Sequence, residues 1–237
     1  MTAAPTTPPS AHAGRPSVPP LENGDRLTRA EFERRYRAMP QIKKAELIEG
    51  IVHMPSPVRI QRHGVPHARL CTWLGYYVSK TSGLEDRLAD NTTARLDEDN
   101  EPQPDLMLLL PRQLGGVAAA DDDDYVNGAP TLVCEIAAST VSIDLHAKLN
   151  AYRRNGVREY LVWRTDDAAV DWFVLREGQY VQLPRDKRGV AKSEHFPGLW
   201  LDVAALLKAD LPALFKAVDE GTATPEHTAF VTRLRGE

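Results

Sequence analysis

Two stretches decide the fold: EPQPDLMLLLP (residues 101–111) and PTLVCEIAAST (130–140). Each is an unbroken apolar run of strand length, the pattern of a β-strand buried on both faces. Each also carries one carboxylate, Asp105 or Glu135, at a point where a core should avoid charge. Neighbouring strands lie about 4.8 Å apart. If these two are neighbours, the carboxylates converge, and two anions held together in a partly dry site need a cation or a shared proton between them.

The flanking segments supply the other layers. LTRAEFERRYRAMP (27–40) reads as a short amphipathic helix, with Thr28 and Glu31 in a capping-box pattern, Leu27 and Phe32 placed as a hydrophobic staple, and Pro40 as the stop. KAELIEGIVHM (44–54) has two β-favouring halves around Gly50, a hairpin or a bulged strand. VPHARLCTWLGYYVSK (65–80) sets Leu70, Leu74, Tyr77 and Val78 on a helical period behind Pro66. RLADNTTARLDEDN (87–100) reads as strand and turn, and the Asp-rich GGVAAADDDDYVNG (115–128) as a solvated loop.

After the second apolar run, STVSIDLHAKLNAYRRNG (139–156) predicts a helix capped by Ser or Thr, with Gly156 at its C′ position. REYLVWR (158–164) is a further buried strand, and AVDWFVLREGQYVQL (169–183) an antiparallel hairpin at the sheet's edge. The remainder is mostly helical in period. This order predicts an α/β fold of three layers, a central mixed β-sheet flanked by helices.

The chain has 237 residues, 42% of them hydrophobic and 26% charged, which suits one substantial core. Residues 1–24 are Pro-, Ala- and Thr-rich with no apolar core of a signal peptide, and are expected to be a disordered tail. Residues 25–207 are expected to form one domain and 208–237 a helical C-terminal extension. No apolar stretch is long enough to span a bilayer. Cys71 and Cys134 lack metal or disulfide spacing and read as small buried hydrophobes, which fits a reducing cytoplasm. A net charge of −4 argues against coating nucleic acid through a global positive field, but leaves room for a local basic groove.

Oxygen-only ligands favour a hard ion such as Mg²⁺, with Mn²⁺ as a substitute. Such an ion can polarise a phosphoryl oxygen and activate water, as phosphodiester hydrolysis requires. Pro104-Asp105, then Glu135 on a following strand, then a helix and a strand resemble the PD-(D/E)XK nuclease superfamily. The resemblance is closer to one bacterial branch, the restriction-endonuclease-like Uma-two family. Its pattern is matched by ELIEG (46–50), His67, PDLMLL (104–109), CEIAAST (134–140), Asp144 and Lys148 in DLHAK, Tyr152 and GVREYLVW (156–163), over about residues 25–205.

The resemblance implies a restriction-endonuclease-like fold and a Mg²⁺-dependent endonuclease acting on DNA. It implies Asp105 and Glu135 as metal ligands and Glu46 as a third acid near the ion. The superfamily's usual lysine, two residues after the second acid, is replaced here by Ala137. Lys148 from the next helix is the expected substitute, since only its ammonium must reach the attacking water. The bland alternative is a solvated i,i+4 ion pair of Asp144 with Lys148. His67 and Tyr152 are candidate substrate-binding residues, with packing as the alternative for each. Glu49 points to the other face of an extended chain.

His63 and His67 have the spacing of a zinc-protease helix, but the Gly64-Val65-Pro66 between them holds no glutamate and is poorly helical, so that motif is rejected. Arg59, Arg62, Arg69, Arg153, Arg154 and Arg158 could form a basic rim for a polynucleotide. Besides the nuclease reading, two others stand: a nuclease-like fold that binds DNA or protein without turnover, and hydrolysis of a small phosphoester. A homodimer is compatible with cutting both strands, although no segment marks an interface.

Overall fold

The computed structural model describes residues 18–54 and 57–236, so most of the expected tail, residues 1–17, lies outside the described residues. In chain order the elements are α1 (Arg29–Arg37), β1 (Glu46–Ile48), β2 (Ile51–His53), α2 (Val65–Ser79), β3 (Leu88–Asp90), β4 (Ala94–Arg95), β5 (Leu106–Leu108), β6 (Ala119–Ala120), β7 (Val126–Asn127) and β8 (Leu132–Ala137). They continue with α3 (Leu149–Asn155), β9 (Glu159–Arg164), β10 (Ala169–Arg176), β11 (Gln179–Gln182), β12 (Val190–Lys192), β13 (Trp200–Asp202), α4 (Val203–Lys208), α5 (Leu211–Thr222) and α6 (Pro225–Arg235).

The two apolar runs pair antiparallel as β5 and β8 in the middle of a six-stranded sheet of order β11-β10-β9-β8-β5-β3. β8 and β9 run parallel, and α3 lies in the crossover between them. The other pairs in this sheet are antiparallel, so the sheet is mixed, as the element order predicts.

Alternation along these strands divides the core in two. Leu106, Leu108, Cys134, Ile136, Leu161 and Trp163 face one way, against Leu70, Trp73, Leu74 and Tyr77 of α2. Leu214 and Val218 of α5 and Phe230 and Leu234 of α6 join that same cluster. Met107, Val133, Ala137, Tyr160 and Val162 face the other way, against Tyr152 and Leu149 of α3. A third, smaller cluster joins Phe32 of α1 to Leu47 and Val52 of the β1–β2 hairpin. That hairpin turns through Glu49 and Gly50, both at positive φ (52° and 73°), the backbone of a tight primed turn.

Several local expectations give way to tertiary contacts. Thr28 makes no side-chain cap to α1, and the Glu31 carboxylate of the expected capping box is taken by Arg34 and Arg35 instead. Residues Ile60–Gly64 form a π-helical turn running into α2, with the Gly64 N–H donating to the Arg59 carbonyl at 3.2 Å. The Asp-rich segment contains β6 and β7, and β7 pairs with β4. Its Asp121 and Asp123 accept hydrogen bonds from Arg95. The β12–β13 hairpin lies in a region whose period reads as helical.

Glu159, fully buried on the α2 side of the sheet, ties the loop after β12 to the core. Its Oε1 accepts from Ser193 Oγ at 2.8 Å and from the Glu194 and His195 N–H groups at 2.8 and 3.0 Å. Its Oε2 accepts from Trp172 Nε1 at 3.0 Å. Burial raises the carboxyl to about 7, and these donors moderate the rise. The ordinary value is 4.5, so below that pH both folded and unfolded chains hold the proton. Between about 5 and 7 only the folded chain keeps it, and stability falls as pH rises. Thermal melts are therefore expected to show a midpoint that declines from pH 5 to pH 7.5, with a shallower decline in Glu159→Gln.

Candidate active site

Strand register brings the two acids of the apolar runs together. β5 and β8 pair Leu106 with Cys134 and Met107 with Val133, and one step further along this ladder Asp105 falls opposite Glu135. Both point to the α3 side, the side taken by their i±2 neighbours Met107, Val133 and Ala137. Each is only 4% exposed.

Lys148 reaches this place from the helical side. It ends a π-helical turn, Ile143–Lys148, that feeds α3, and its Nζ lies 2.9 Å from Glu135 Oε1 and 2.9 Å from Glu46 Oε1. Asp144 Oδ1 is 3.8 Å away. Lys148 and Asp144 are both buried, so their i,i+4 pair is not the solvated one of the bland alternative. Tyr152, one helical turn on, donates its hydroxyl to the same Glu135 Oε1 at 2.9 Å. Asp144 is steadied by the Thr140 hydroxyl at 2.5 Å, so Thr140 serves a carboxylate here rather than capping the helix.

Glu46 arrives on the small hairpin. Ala45 and Leu47 pack into the α1 cluster, which turns the intervening Glu46 the opposite way, and it too is buried. The backbones of Leu47 and Glu101 exchange hydrogen bonds of 3.1 and 2.8 Å, and the Gln103 N–H donates to Glu46 Oε1 at 2.7 Å. Glu49, in the turn itself, pairs with Arg154 at the surface.

One ammonium among three acids leaves a surplus of negative charge. Glu135 is raised to about 8: burial drives the rise, Lys148 opposes it, and the charges of Asp105, Asp144 and Glu46 add to it. Asp144 is raised by burial, against the influence of Lys148 and Thr140. For Lys148, burial alone would favour loss of the proton, but Glu135, Glu46 and Asp144 outweigh it and hold the ammonium well above its ordinary value. The lysine therefore stays charged at neutral pH, and Glu135, raised to about 8, is the acid that holds a proton there.

Asp105 has separate partners. Its Oδ2 accepts the Ile136 N–H at 2.7 Å, and His63 Nε2 lies 3.1 and 3.2 Å from its two oxygens. Burial would raise this carboxyl, but His63, the Ile136 N–H and Lys44 bring it below its ordinary value. His67 lies beside it, with Nε2 2.8 Å from Asp90 Oδ1 and 3.2 Å from the Asp105 carbonyl. Sequence reasoning missed His63, because it weighed the His63–His67 spacing only against a zinc motif. Both rings do share a helical face, stacked with centroids 5.8 Å apart.

The arginines of the expected rim are largely committed locally. Arg62 pairs with Asp166, Arg154 with Glu49, and Arg69 donates to the Leu206 carbonyl at 2.7 Å. Arg153 and Arg158 bind the carbonyls of Gly178 and Gly115.

The donor set fits a hard divalent cation in chemistry: carboxylate oxygens, buried, with more negative charge than Lys148 offsets. No three His, Cys, Asp or Glu side chains among the described residues are arranged to hold one ion. Instead Lys148 stands between Glu46 and Glu135, and His63 faces Asp105.

A family model, Uma2, described as "Putative restriction endonuclease", matches residues 29–204. The chain belongs to the Uma2 family. No curated protein matches it in sequence. Among solved structures, a protein described as "a putative nuclease belonging to DUF820 from Anabaena variabilis ATCC 29413" is similar with a TM-score of 0.55 and 13% identity, over 74% of this chain and 96% of that one. At that identity the likeness is one of fold, and it agrees with the three-layer sheet found here. As a Uma2 member the chain is nuclease-like, and the Uma2 match spans every residue of the Glu46–Asp105–Glu135–Lys148 cluster.

Removing the ammonium leaves buried acids without a counter-charge. Lys148→Met is expected to destabilise the fold by about 3–5 kcal/mol, read from urea unfolding at pH 8 in EDTA. Adding Glu135→Gln to that variant should recover part of the loss, because the two residues are coupled.

Proposed function

We propose that this chain is a divalent-cation-dependent endonuclease that hydrolyses DNA phosphodiester bonds. The observation that carries the reading is the buried cluster itself: Asp105 and Glu135 side by side on central strands, with a charged lysine 2.9 Å from Glu135. Asp105, Glu135 and Glu46 are the residues that would hold Mg²⁺ or Mn²⁺. When bound, the ion supplies Lewis acidity toward a phosphoryl oxygen.

The chain's own groups do the rest. Lys148 remains protonated, so it acts as a hydrogen-bond donor and fixed positive charge that orients the attacking water and offsets charge growing on the phosphate. Glu46 and Glu135 fix the ammonium from two sides, and the Tyr152 hydroxyl fixes Glu135. The Ile136 N–H holds Asp105 to the neighbouring strand. His67, held between Asp90 and the Asp105 carbonyl, is the candidate contact to a phosphodiester strand.

A second reading, a nuclease fold that binds without turnover, draws on the commitment of Lys148 to two glutamates. Plasmid nicking separates the two. The wild type should nick with Mg²⁺ or Mn²⁺ and not with EDTA, Asp105→Ala and Glu135→Gln should lose the activity, and Lys148→Met should lower the rate about 100-fold or more. Equal rates on a nitrophenyl phosphodiester and on plasmid would point to a small phosphoester instead. Full cutting by Asp105→Ala would end the proposal.

A further inference from the structure

His63 occupies the open side of the Asp105 carboxylate. Its Nε2 is nearly equidistant from the two oxygens, at 3.1 and 3.2 Å, while the Ile136 N–H is donated to Oδ2 at 2.7 Å. A cation taken by both oxygens of a carboxylate approaches from that same open side.

The other ring nitrogen decides between a metal ligand and a competitor. A histidine that ligates a metal through one nitrogen ordinarily donates from the other to a carboxylate, a carbonyl or water. His63 Nδ1 is buried and, among the described residues, has no hydrogen-bond partner. Placing the proton on Nδ1 would bury an unpaired N–H, which is costly. The pattern of partners instead assigns the proton to Nε2, where it is donated to Asp105.

The ring is also held in place. His67 stacks on it with an interplanar angle of 13°, and His67 is itself fixed by Asp90 and the Asp105 carbonyl. The turn that carries His63 is tied to the β9–β10 connection by Thr165, whose hydroxyl donates to the Arg62 carbonyl at 2.9 Å, and by the Arg62–Asp166 pair.

We infer that His63 is a latch on Asp105: a positioning residue that holds the carboxylate by both oxygens and competes with a divalent cation for it. This rests on the cation-dependent reading above. An ion bound by Asp105 must displace a charge-assisted hydrogen bond, among the stronger kinds a protein makes, so the latch lowers the site's affinity.

The test is calorimetric titration of the full chain with Mn²⁺, using the wild type, His63→Ala, His63→Leu, His63→Gln and Asp105→Ala, with circular dichroism to establish folding. His63→Leu keeps the bulk without a donor, so the comparison survives if His63→Ala does not fold. The donor-free variants should bind Mn²⁺ about tenfold more tightly than the wild type. His63→Gln, whose amide can still donate, should stay nearer the wild type. Pulsed electron paramagnetic resonance of the wild-type Mn²⁺ complex should show no histidine nitrogen coupling.

Weaker binding in the donor-free variants, with a nitrogen coupling present in the wild type, would make His63 a ligand and overturn the latch. Unchanged affinity would overturn it as an idle contact. In both cases loss of binding in Asp105→Ala would leave the cation-dependent reading standing. If the wild type binds no Mn²⁺, or Asp105→Ala binds as well as the wild type, that reading fails and the latch with it.

Discussion

A single buried ammonium holds three separately built pieces of this molecule in one place. Lys148 comes from the crossover helix, Glu135 from a central strand, and Glu46 from a small hairpin with a core of its own. Desolvating such a group is expensive, and only close, well-aligned counter-charges make it tolerable. The geometry of the hairpin, of the strand pair and of the π-helical turn before α3 is therefore constrained jointly. A shift of any one would strand a charge away from water.

Buried carboxylates in one sheet can do opposite work. Glu159 and Glu135 are both buried on adjacent strands, β9 and β8. Glu159 faces the α2 side, where two backbone N–H groups, a hydroxyl and an indole N–H converge on it. That supply of neutral donors makes it an anchor for a loop. Glu135 faces the α3 side, where its partners are one lysine and one tyrosine, both on Oε1, and where other acids crowd it. The acid whose surroundings are short of positive charge is the one to which the proposed cation role falls.

The histidine pair extends the same logic to Asp105. A π-helical turn ahead of α2 rotates His63 onto the carboxylate while His67, on the same face, reaches Asp90. The wider turn matters, because it carries the helical face that begins at Leu70 back across Gly64 and Pro66, where the sequence reads as a break.

Hydrophobic pattern alone determined the sheet: apolar runs of strand length, alternating hairpin segments and the helical period after CEIAAST are local properties, because side-chain direction follows the backbone repeat of each element. The same runs exposed Asp105 and Glu135, since a carboxylate in such a run is conspicuous, and the ordered motifs around them carried the resemblance to Uma2 proteins. The resemblance already implied Glu46 and Lys148 near them, and the tertiary structure decided the contacts that each acid makes. Lys148, Tyr152 and Glu46 around Glu135, His63 on Asp105, and the donors gathered on Glu159 are long-range contacts. No local period encodes them: they depend on strand register, on the hairpin's docking and on the pitch of two π-helical turns, each settled by packing and by the cost of burying unpaired charge.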